Sequence, residues 1–485
     1  MVFISRCAPA ILLVLSGCVS GPDYKPPIMP LPATFSEPSA GSSDGIVSRE
    51  WWRAYSDETL EALVARGLSQ NITILSAIEA INAAQGDVVV AGSGGLPNIA
   101  VGADQTISGE TGNLRTAASS TSTSRGGATS SWLLDFFGQY RRAREGALDS
   151  LDAAFATVDV ARLAYVQDVV TGYINARYYQ IRISIARENL KSRRDTLNLT
   201  KFQLTAGAAS RLDVVQAEGL VNSTLSEVPG LEVNYRREVH HIAALLDAPA
   251  AEILELMKRG ETQPVYKGGV SAGVPADLIR NRPDVRRDER QLAAAVAQIG
   301  IAQAQLLPSI TLNGSISPSY IHTAGRGGGL TTWSFGPALN LPILDGGLLR
   351  ANVKIAESNA KVAYLTWKGT VLTAVEEVEN GLVAVNRDPQ TIAALRAQVR
   401  SYRDAVSLST ASYKDGASSL LDVLDAQRSV TNAQQNLAAA VQQLATDYAA
   451  LNVAIGAGFI LQTDSKGQSR PAAEKHVAKL GVSNE

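Results

Sequence analysis

Two pairs of segments along the chain alternate apolar with polar residues, which is the period of a β-strand whose two faces meet different surroundings. The first pair is predicted at Asn98–Ser108 and around Ala128–Leu134, joined by a Ser/Thr/Gly-rich loop at Gly109–Gly127. The second pair begins near Ile310 and flanks a glycine-rich loop at Pro318–Gly329. The apolar positions of these strands include Ile99, Val101, Ala103, Ile107, Ile310, Leu312, Ile316, Trp333, Phe335, Leu339 and Leu341. Segments of about ten residues are long enough to cross a membrane as tilted strands.

Each strand pair is followed by two helical stretches, of which the first is unusually long. Gln139–Thr205 contains no proline and few glycines, so as one helix it would extend about 100 Å. The returning helix is predicted to be interrupted at Pro229-Gly230 and to end at Leu245–Asp247. The other helical predictions are Trp51 to Leu96-Pro97, Arg282–Pro308, Gly347–Ser409 with a kink at Pro389, and Leu420 to about Ile455.

The segments Leu204–Glu218 and Tyr413–Gln427 repeat one skeleton, 209 positions apart. In each, a glycine, a short polar link and Ser-x-x-Asp precede an apolar run, which is typical of a helix end, a tight turn and a capped helix start. The matching residues are Gly207 and Gly416, Ser210 and Ser419, Leu212–Val214 and Leu421–Val423, and Ala217 and Ala426. We therefore predict two helical hairpins from a duplicated unit, because solenoid repeats are much shorter.

The first residues predict an exported lipoprotein. Arg6 precedes an apolar stretch, Ala10–Leu15, that is too short to span a bilayer. It ends in Leu15-Ser16-Gly17-Cys18, which resembles a bacterial lipobox, where the cysteine becomes the acylated first residue of the mature protein. An ordinary signal peptide with an incidental cysteine is the alternative. Because Cys7 would leave with the signal, the exported chain would contain no disulfide and would depend on packing and assembly.

These patterns divide the chain into six segments. A signal peptide at 1–17 is followed at 18–50 by an acylated tether, predicted to be extended and poorly packed from its Pro, Ser and Gly content. The remaining segments are a first structural repeat at 51–247, an irregular linker at 248–281, a second repeat at 282–458 and a polar tail at 459–485.

Composition and motifs argue against nucleic-acid binding and against catalysis. The net charge of −2 over 485 residues suggests no nucleic-acid partner. His240 and His241 are adjacent and lack metal-ligand spacing, and Gly325–Gly329 is not followed by the Gly-Lys-Ser/Thr of a phosphate-binding loop. No Ser/His/Asp or Cys/His arrangement is recognisable, so the sequence predicts no enzyme, metal site or cofactor.

The strands and the helices both require assembly. Four strands cannot close a barrel, since the smallest membrane barrels have eight, and an open sheet edge is not tolerated in lipid. A single thin hairpin of about 100 Å cannot bury both of its flanks. We therefore expect several chains to share one tube.

With these features, the chain resembles the outer-membrane efflux protein family, the TolC-like channels, in its NodT-type lipoprotein branch. The residues that carry the resemblance are the Leu15–Cys18 lipobox, Trp51-Trp52, Leu96-Pro97, Arg282-Pro283-Asp284, Leu307-Pro308, Leu341–Gly347 and Leu421–Ala426. Each motif is weak alone, but the ordered combination covers nearly all of the mature chain and is highly specific.

The resemblance implies a mainly α-helical fold with a membrane β-barrel. It implies a homotrimer with a twelve-stranded barrel in the outer membrane, an α-helical barrel across the periplasm and an equatorial belt from the central linker and C-terminal region. The implied function is a passive exit duct that works with a periplasmic adaptor and an inner-membrane transporter of the resistance-nodulation-division type.

The same resemblance assigns roles to residues at the two bends. Asp422 and Asp425 correspond to acidic residues that line the closed periplasmic aperture, although both could merely favour a helix N-terminus. We interpret Asp213 as a helix cap, because Ser210 precedes it and Gln216 stands where a second acid would be. The implied adaptor-contacting tips comprise Gly207, Ser210, Asp213, Gly416 and Ser419, and the glycines could equally be simple helix C-caps. Ser418 and Ser419 stand where the family often has a basic residue, which argues against a salt-bridged latch.

Three other functions are open at this stage. The same architecture could serve as a duct for type I protein secretion, or as a lipoprotein scaffold without a pore. The four alternating strands argue against the scaffold, because a periplasmic spacer has no need of membrane strands. An enzyme lacks any recognisable site.

Overall fold

A computed structural model describes residues 19–37, 50–113, 120–260, 262–268, 272, 274–323, 325–457, 462–463 and 469–470. The proposed acylation site Cys18 and most of the polar tail lie outside these residues. A 3₁₀ turn at Trp51–Tyr55 opens the main body. The helices are α1 (Glu58–Gln70), α2 (Ile72–Ser93), α3 (Gln139–Thr205), α4 (Arg211–Leu245), α5 (Ala250–Met257), α6 (Pro275–Asn281), α7 (Pro283–Ala304), α8 (Leu348–Lys414) and α9 (Leu420–Ala454). The strands are β1 (Asn98–Ser108), β2 (Thr121–Leu134), β3 (Ser309–Thr323), β4 (Arg326–Asn340), β5 (Gln462–Thr463) and β6 (Ser469–Arg470).

The predicted limits of β1 and α3 are confirmed, and α9 ends one residue before the predicted Ile455. The interpretation of Pro389 is confirmed in that α8 continues through it. The predicted interruption at Pro229-Gly230 is wrong, because α4 continues through both residues. Side chains on either side of this proline are anchored: Leu231 is buried against Ile183, and Val228 packs on the same cluster. This packing outweighs the one backbone hydrogen bond that a proline removes.

Both predicted loops between paired strands are too long. β2 begins at Thr121, seven residues before the predicted Ala128, and only residues 324–325 separate β3 from β4. Pairing to a partner on each side stabilises β2 despite its Ser, Thr and Gly content. In β4, Gly327 leaves room for an aromatic neighbour: a Cβ at this position would come within 2.3 Å of the Tyr320 hydroxyl oxygen. An aromatic ring lying over a strand glycine is a known way to hold such a segment in a sheet.

The described parts of the tether and of the linker are also more ordered than predicted. Backbone NH of Ser20 donates to the carbonyl of Phe137 (2.9 Å), and Arg142 donates to the Ser20 carbonyl (3.1 Å) and to Asp23 (2.7 Å). A Cβ at Gly21 would lie 2.4 Å from the Gly300 Cα, so this segment packs directly on α7. In the linker, α5 forms because its apolar residues Ile253 and Met257 are fully buried.

The chain forms two compact units. One combines Met1–Met29, Glu79–Phe155 and Arg287–Lys368, and contains the four-stranded sheet. The other combines Pro30–Ile78, Ala156–Arg286 and Gly369–Glu485, and contains both hairpin bends. Each unit therefore draws on both of the repeats predicted from the sequence.

The four-stranded sheet is antiparallel, in the order β1-β2-β3-β4, so β1 and β4 each have one edge that no other described strand pairs with. Its register places Ile99, Val101 and Ile107 on the same face as the exposed apolar residues Trp132, Ile316, Tyr320, Trp333, Phe335 and Leu339. The opposite face carries mainly small and polar residues, among them Asp104, Thr106, Thr123, Arg125, Thr129, Asn313, Ser315 and Ser319. One face is thus suited to lipid and the other to water.

By length and composition, the run Glu58–Ser93 could also cross a membrane. Asn71 divides it, since its backbone is extended and its amide donates to the Leu245 carbonyl at 2.8 Å. Little of this run is buried within the chain, and Ile72, Leu75, Val89 and Val90 are exposed.

Candidate functional site

The two predicted bends have the same backbone geometry. Gly207 ends the turn after α3 with φ 76°, and Gly416 does so after α8 with φ 72°. In the first bend the NH of Ala208 donates to Gln203 O (2.8 Å) and that of Gly207 to Leu204 O (3.0 Å). Ala417 and Gly416 repeat both bonds at 2.8 and 3.1 Å. This is the Schellman pattern, which satisfies carbonyls at a helix end and requires a left-handed residue.

A capping box follows each glycine. Asp213 Oδ2 accepts from the backbone NH and the hydroxyl of Ser210, at 2.8 and 2.7 Å. Asp422 Oδ2 accepts from the same groups of Ser419, at 3.0 and 2.9 Å. The predicted cap role of Asp213 is therefore confirmed, and Asp422 has the same cap contacts.

The two bends pack against each other. Their shared core is formed by Leu197, Val214, Ala217, Val221, Tyr413, Leu420, Val423 and Leu424. Other apolar side chains around the bends remain exposed within one chain, namely Phe202, Leu212, Val215, Leu408 and Leu421. Apolar residues exposed together in this way indicate a surface that another chain covers.

Asp422 and Asp425 lie together on the exposed side of the first two turns of α9. Asp425 forms a salt bridge with Arg428 at 3.1 Å, and both of these side chains are more than half exposed. Arg428 is not among the residues predicted from the sequence, although its i+3 spacing from Asp425 on a predicted helix indicates an ion pair. The exposed tip of α9 thus presents two acids and one base.

Behind the bends, buried polar side chains connect α3 to α9. Gln427 donates to Thr196 at 2.8 Å, and Asn189 donates to Gln434 at 3.3 Å. Arg193 is buried between them and donates to the Thr431 and Thr224 hydroxyls. Burial lowers the pKa of Arg193. None of these residues is predicted from the sequence, because polar residues on a long helix are normally assigned to its solvated face.

A second buried arginine joins the linker to α3. Arg177 is 1% exposed and donates to the carbonyls of Met257 (2.9 Å), Arg259 and Gly260 at the end of α5. Its Nε donates to the Tyr173 hydroxyl at 2.9 Å, and that hydroxyl donates to Asp57 at 2.6 Å. The other oxygen of Asp57 caps α1 through the NH groups of Thr59 and Leu60. One side-chain network therefore holds the ends of two helices against α3.

The Arg282-Pro283-Asp284 motif has a structural role. Arg282 is buried and donates to Asp284 at 2.7 Å and to the Ala454 carbonyl at 3.1 Å. It also pairs with Glu377 on α8. Together these contacts fix the start of α7 against the end of α9.

Two carboxyl groups meet where Pro389 lies in α8. Asp388 and Asp447 are within hydrogen-bonding reach of each other, and Gln443 donates to both oxygens of Asp447 at 3.0 Å. Burial, followed by the hydrogen bond and the charge of Asp447, raises the pKa of Asp388 to about 6. The pair therefore shares a proton in acid and carries two like charges when that proton leaves.

This pair predicts a pH-dependent stability. The pKa of Asp388 is higher in the folded protein than in the unfolded chain. The stability contributed by protonated Asp388 is therefore fully present below about pH 4 and is lost as pH rises through about 6. Asp388→Asn keeps a donor to Asp447 without ionising, so the variant should gain thermal stability relative to wild type as pH rises from about 4 to 7. The measurement is the melting midpoint across this range. Asp404→Asn, at an exposed aspartate of the same helix, is the control and should follow wild type.

Among the described residues, no group of three or more His, Cys, Asp or Glu side chains is placed to hold a metal ion.

Comparisons with known proteins cover most of the chain and agree with one another. The profile of the "Outer membrane efflux protein" family matches residues 63–248 and 274–457. The chain is 56% identical over 455 residues to "Nodulation protein T" of Rhizobium leguminosarum bv. viciae, covering 94% of each. It is 32% identical over 428 residues to "Outer membrane protein OprJ" of Pseudomonas aeruginosa, covering 86% of this chain and 88% of that protein. Its fold matches the solved outer-membrane channel OprN with a TM-score of 0.80 and 29% identity, covering 91% of this chain and 99% of OprN.

Proposed function

The chain belongs to the outer membrane efflux protein family, and from this premise we propose how it works. It is an outer-membrane efflux duct, the outermost part of a pump that also needs a periplasmic adaptor and an inner-membrane component. Three copies close one twelve-stranded barrel and one helical tube, and drugs or other small molecules pass through passively. The inner-membrane partner, of the resistance-nodulation-division type, supplies the driving energy.

The observation that supports this proposal most is the two-faced sheet with unpaired edges. Its apolar face is exposed, its other face is polar, and each edge strand lacks a second partner strand among the residues that the structure describes. In lipid, unpaired backbone groups at an edge cost several kcal/mol each, so β4 of one copy must pair with β1 of the next. The exposed apolar residues of α8, among them Ile355, Val362, Leu365 and Leu372, also need a neighbouring copy.

The experiment that tests the assembly is native mass spectrometry in mild detergent. We expect three chains per particle, and an intact mass that starts at Cys18 and includes attached acyl chains. Cys18→Ala should remove the acyl mass while leaving the trimer, since the barrel itself holds the protein in the membrane. A stable monomer would contradict the shared barrel, and an unmodified Cys18 in the wild-type protein would contradict the lipobox.

The adaptor docks on the hairpin tips that contain Gly207, Ser210, Asp213, Gly416 and Ser419. This proposal is supported by the exposed apolar residues beside both bends, which the chain itself leaves uncovered. Cysteines at Ala208 and Ala417, one residue past each tip glycine, should cross-link to the adaptor in cells expressing all three components. Cysteine at exposed Ser69, on α1, is the control and should not cross-link. Equal yields at all three positions would contradict docking at the tips.

A further inference from the structure

The water-facing side of the sheet carries very few charges. Within the four described strands β1 to β4, the only Asp, Glu, Lys or Arg residues are Asp104, Arg125 and Arg326. Arg326 is the first residue of β4, beside the turn at the end of the sheet. Asp104 and Arg125 lie further in, four residues from the ends of their strands at Ser108 and Thr121.

The register brings these two residues together on one face. Asp104 is the direct cross-strand partner of Arg125, and the same row continues through Ser319 and Leu330. Directly opposed residues of antiparallel strands project from the same side of the sheet. Both side chains are exposed, and both belong to the polar face.

The rows on either side contain only smaller or uncharged residues. On β1 the nearest residues of the same face are Gly102 and Thr106, and on β2 they are Thr123 and Gly127. The charged groups of Asp104 and Arg125 therefore project beyond their neighbours into the space in front of the sheet. In a barrel of twelve strands tilted by about 40°, that space is roughly 24 Å across between backbones, so long side chains narrow it substantially.

We propose that Asp104 and Arg125 form a ring of three acids and three bases that leaves the outer part of the duct without a preference for anions or cations. This inference rests on the proposed trimeric barrel. Because acid and base are equal in number, the ring favours neither anions nor cations near its centre. Removing one partner leaves three like charges, and rings of like charge select ions in pores. The balanced ring thus lets solutes of either charge leave through one exit.

A cysteine placed beside the ring can report the local potential. The only cysteines in the sequence are Cys7 and Cys18, both in the N-terminal segment, so Thr106→Cys introduces the only thiol of the barrel. Position 106 shares its face with Asp104, about 7 Å along the strand. Ile107→Cys is a matched control one residue away, on the apolar face. Anionic and cationic methanethiosulfonate reagents are added to whole cells from outside, and the ratio of their reaction rates is measured.

We expect Thr106→Cys to react with both reagents and Ile107→Cys to react with neither. Asp104→Asn should shift the rate ratio towards the anionic reagent by about fivefold at about 10 mM ionic strength, and Arg125→Gln should shift it as much the other way. The double variant should restore the wild-type ratio, which a change in folding would not do.

The outcomes separate this inference from the proposed barrel. If Thr106→Cys reacts but its rate ratio is the same in all four backgrounds, the charged ring is wrong and the duct stands. If Ile107→Cys reacts and Thr106→Cys does not, the polar face does not line a lumen, and both proposals fail.

Discussion

Replacing Arg177 with methionine should lower the free energy of unfolding by about 3 kcal/mol or more. Methionine fills much of the same volume but leaves the carbonyls of Met257, Arg259 and Gly260 without their shared donor. It also removes the donor to the Tyr173 hydroxyl, and so loosens the network that reaches Asp57. The measurement is denaturant unfolding of the detergent-solubilised protein, with limited proteolysis of the linker that follows α5.

The matched control is Arg187→Met, ten residues along the same helix. Arg187 pairs with Glu232 at 3.0 Å, but both side chains are about half exposed or more. Exposed pairs of this kind contribute at most about 1 kcal/mol. Equal losses in the two variants would show that the buried network has no special role in stability.

Replacing both Asp422 and Asp425 with asparagine should weaken block by trivalent cations from the periplasmic side by at least about tenfold. In the proposed trimer these residues contribute six carboxylates to the narrow end of the duct. Arg428 offsets part of this charge through its salt bridge with Asp425. We therefore expect Arg428→Gln to strengthen the block, in the opposite direction to the double variant. Block and ion selectivity are measured on single channels in a planar bilayer.

Asp213→Asn is the control that distinguishes a role in the aperture from a role in helix capping. Asp213 and Asp422 each accept a hydrogen bond from the backbone NH of the capping serine three residues earlier. Replacing either with asparagine should cost about 1 kcal/mol or less in stability, because the amide oxygen can still accept that bond. Asp213→Asn should leave cation block unchanged, whereas the double change at Asp422 and Asp425 should weaken it. The contradicting result is that the double variant leaves cation block unchanged while Asp213→Asn and Asp422→Asn lower thermal stability equally. Asp422 would then be only a helix cap, like Asp213, and the aperture assignment would be wrong.

Elements can be predicted from the sequence where local chemistry and long-range packing favour the same structure. The bends were predicted to the residue because Gly207 and Gly416 each need a left-handed backbone and each precedes a Ser-x-x-Asp capping box. The limits of α3 are equally predictable, since no proline or glycine pair interrupts the helix and Gly207 follows its end.

Where the predictions from the sequence are wrong, tertiary contacts determine the structure. Gly327 belongs to a strand because Tyr320 lies over it, and Pro229 stays in a helix because Leu231 is buried and Val228 packs on the same cluster. Local propensity opposes both outcomes, so only the partner side chain reveals them. The Arg177 and Arg193 contacts were unreachable for a related reason: no short spacing links a buried arginine to carbonyls some 80 residues away or to a hydroxyl on another hairpin.

The central claim, that this chain forms an outer-membrane duct, is tested most directly by single-channel recording of the purified protein in a planar lipid bilayer. The account predicts discrete conductance steps from trimeric protein, with block by trivalent cations from one side only that is weakened by the Asp422→Asn/Asp425→Asn change. Trimers that are shown to be inserted in the bilayer and pass no current, in the wild-type or the aperture variant, would contradict it.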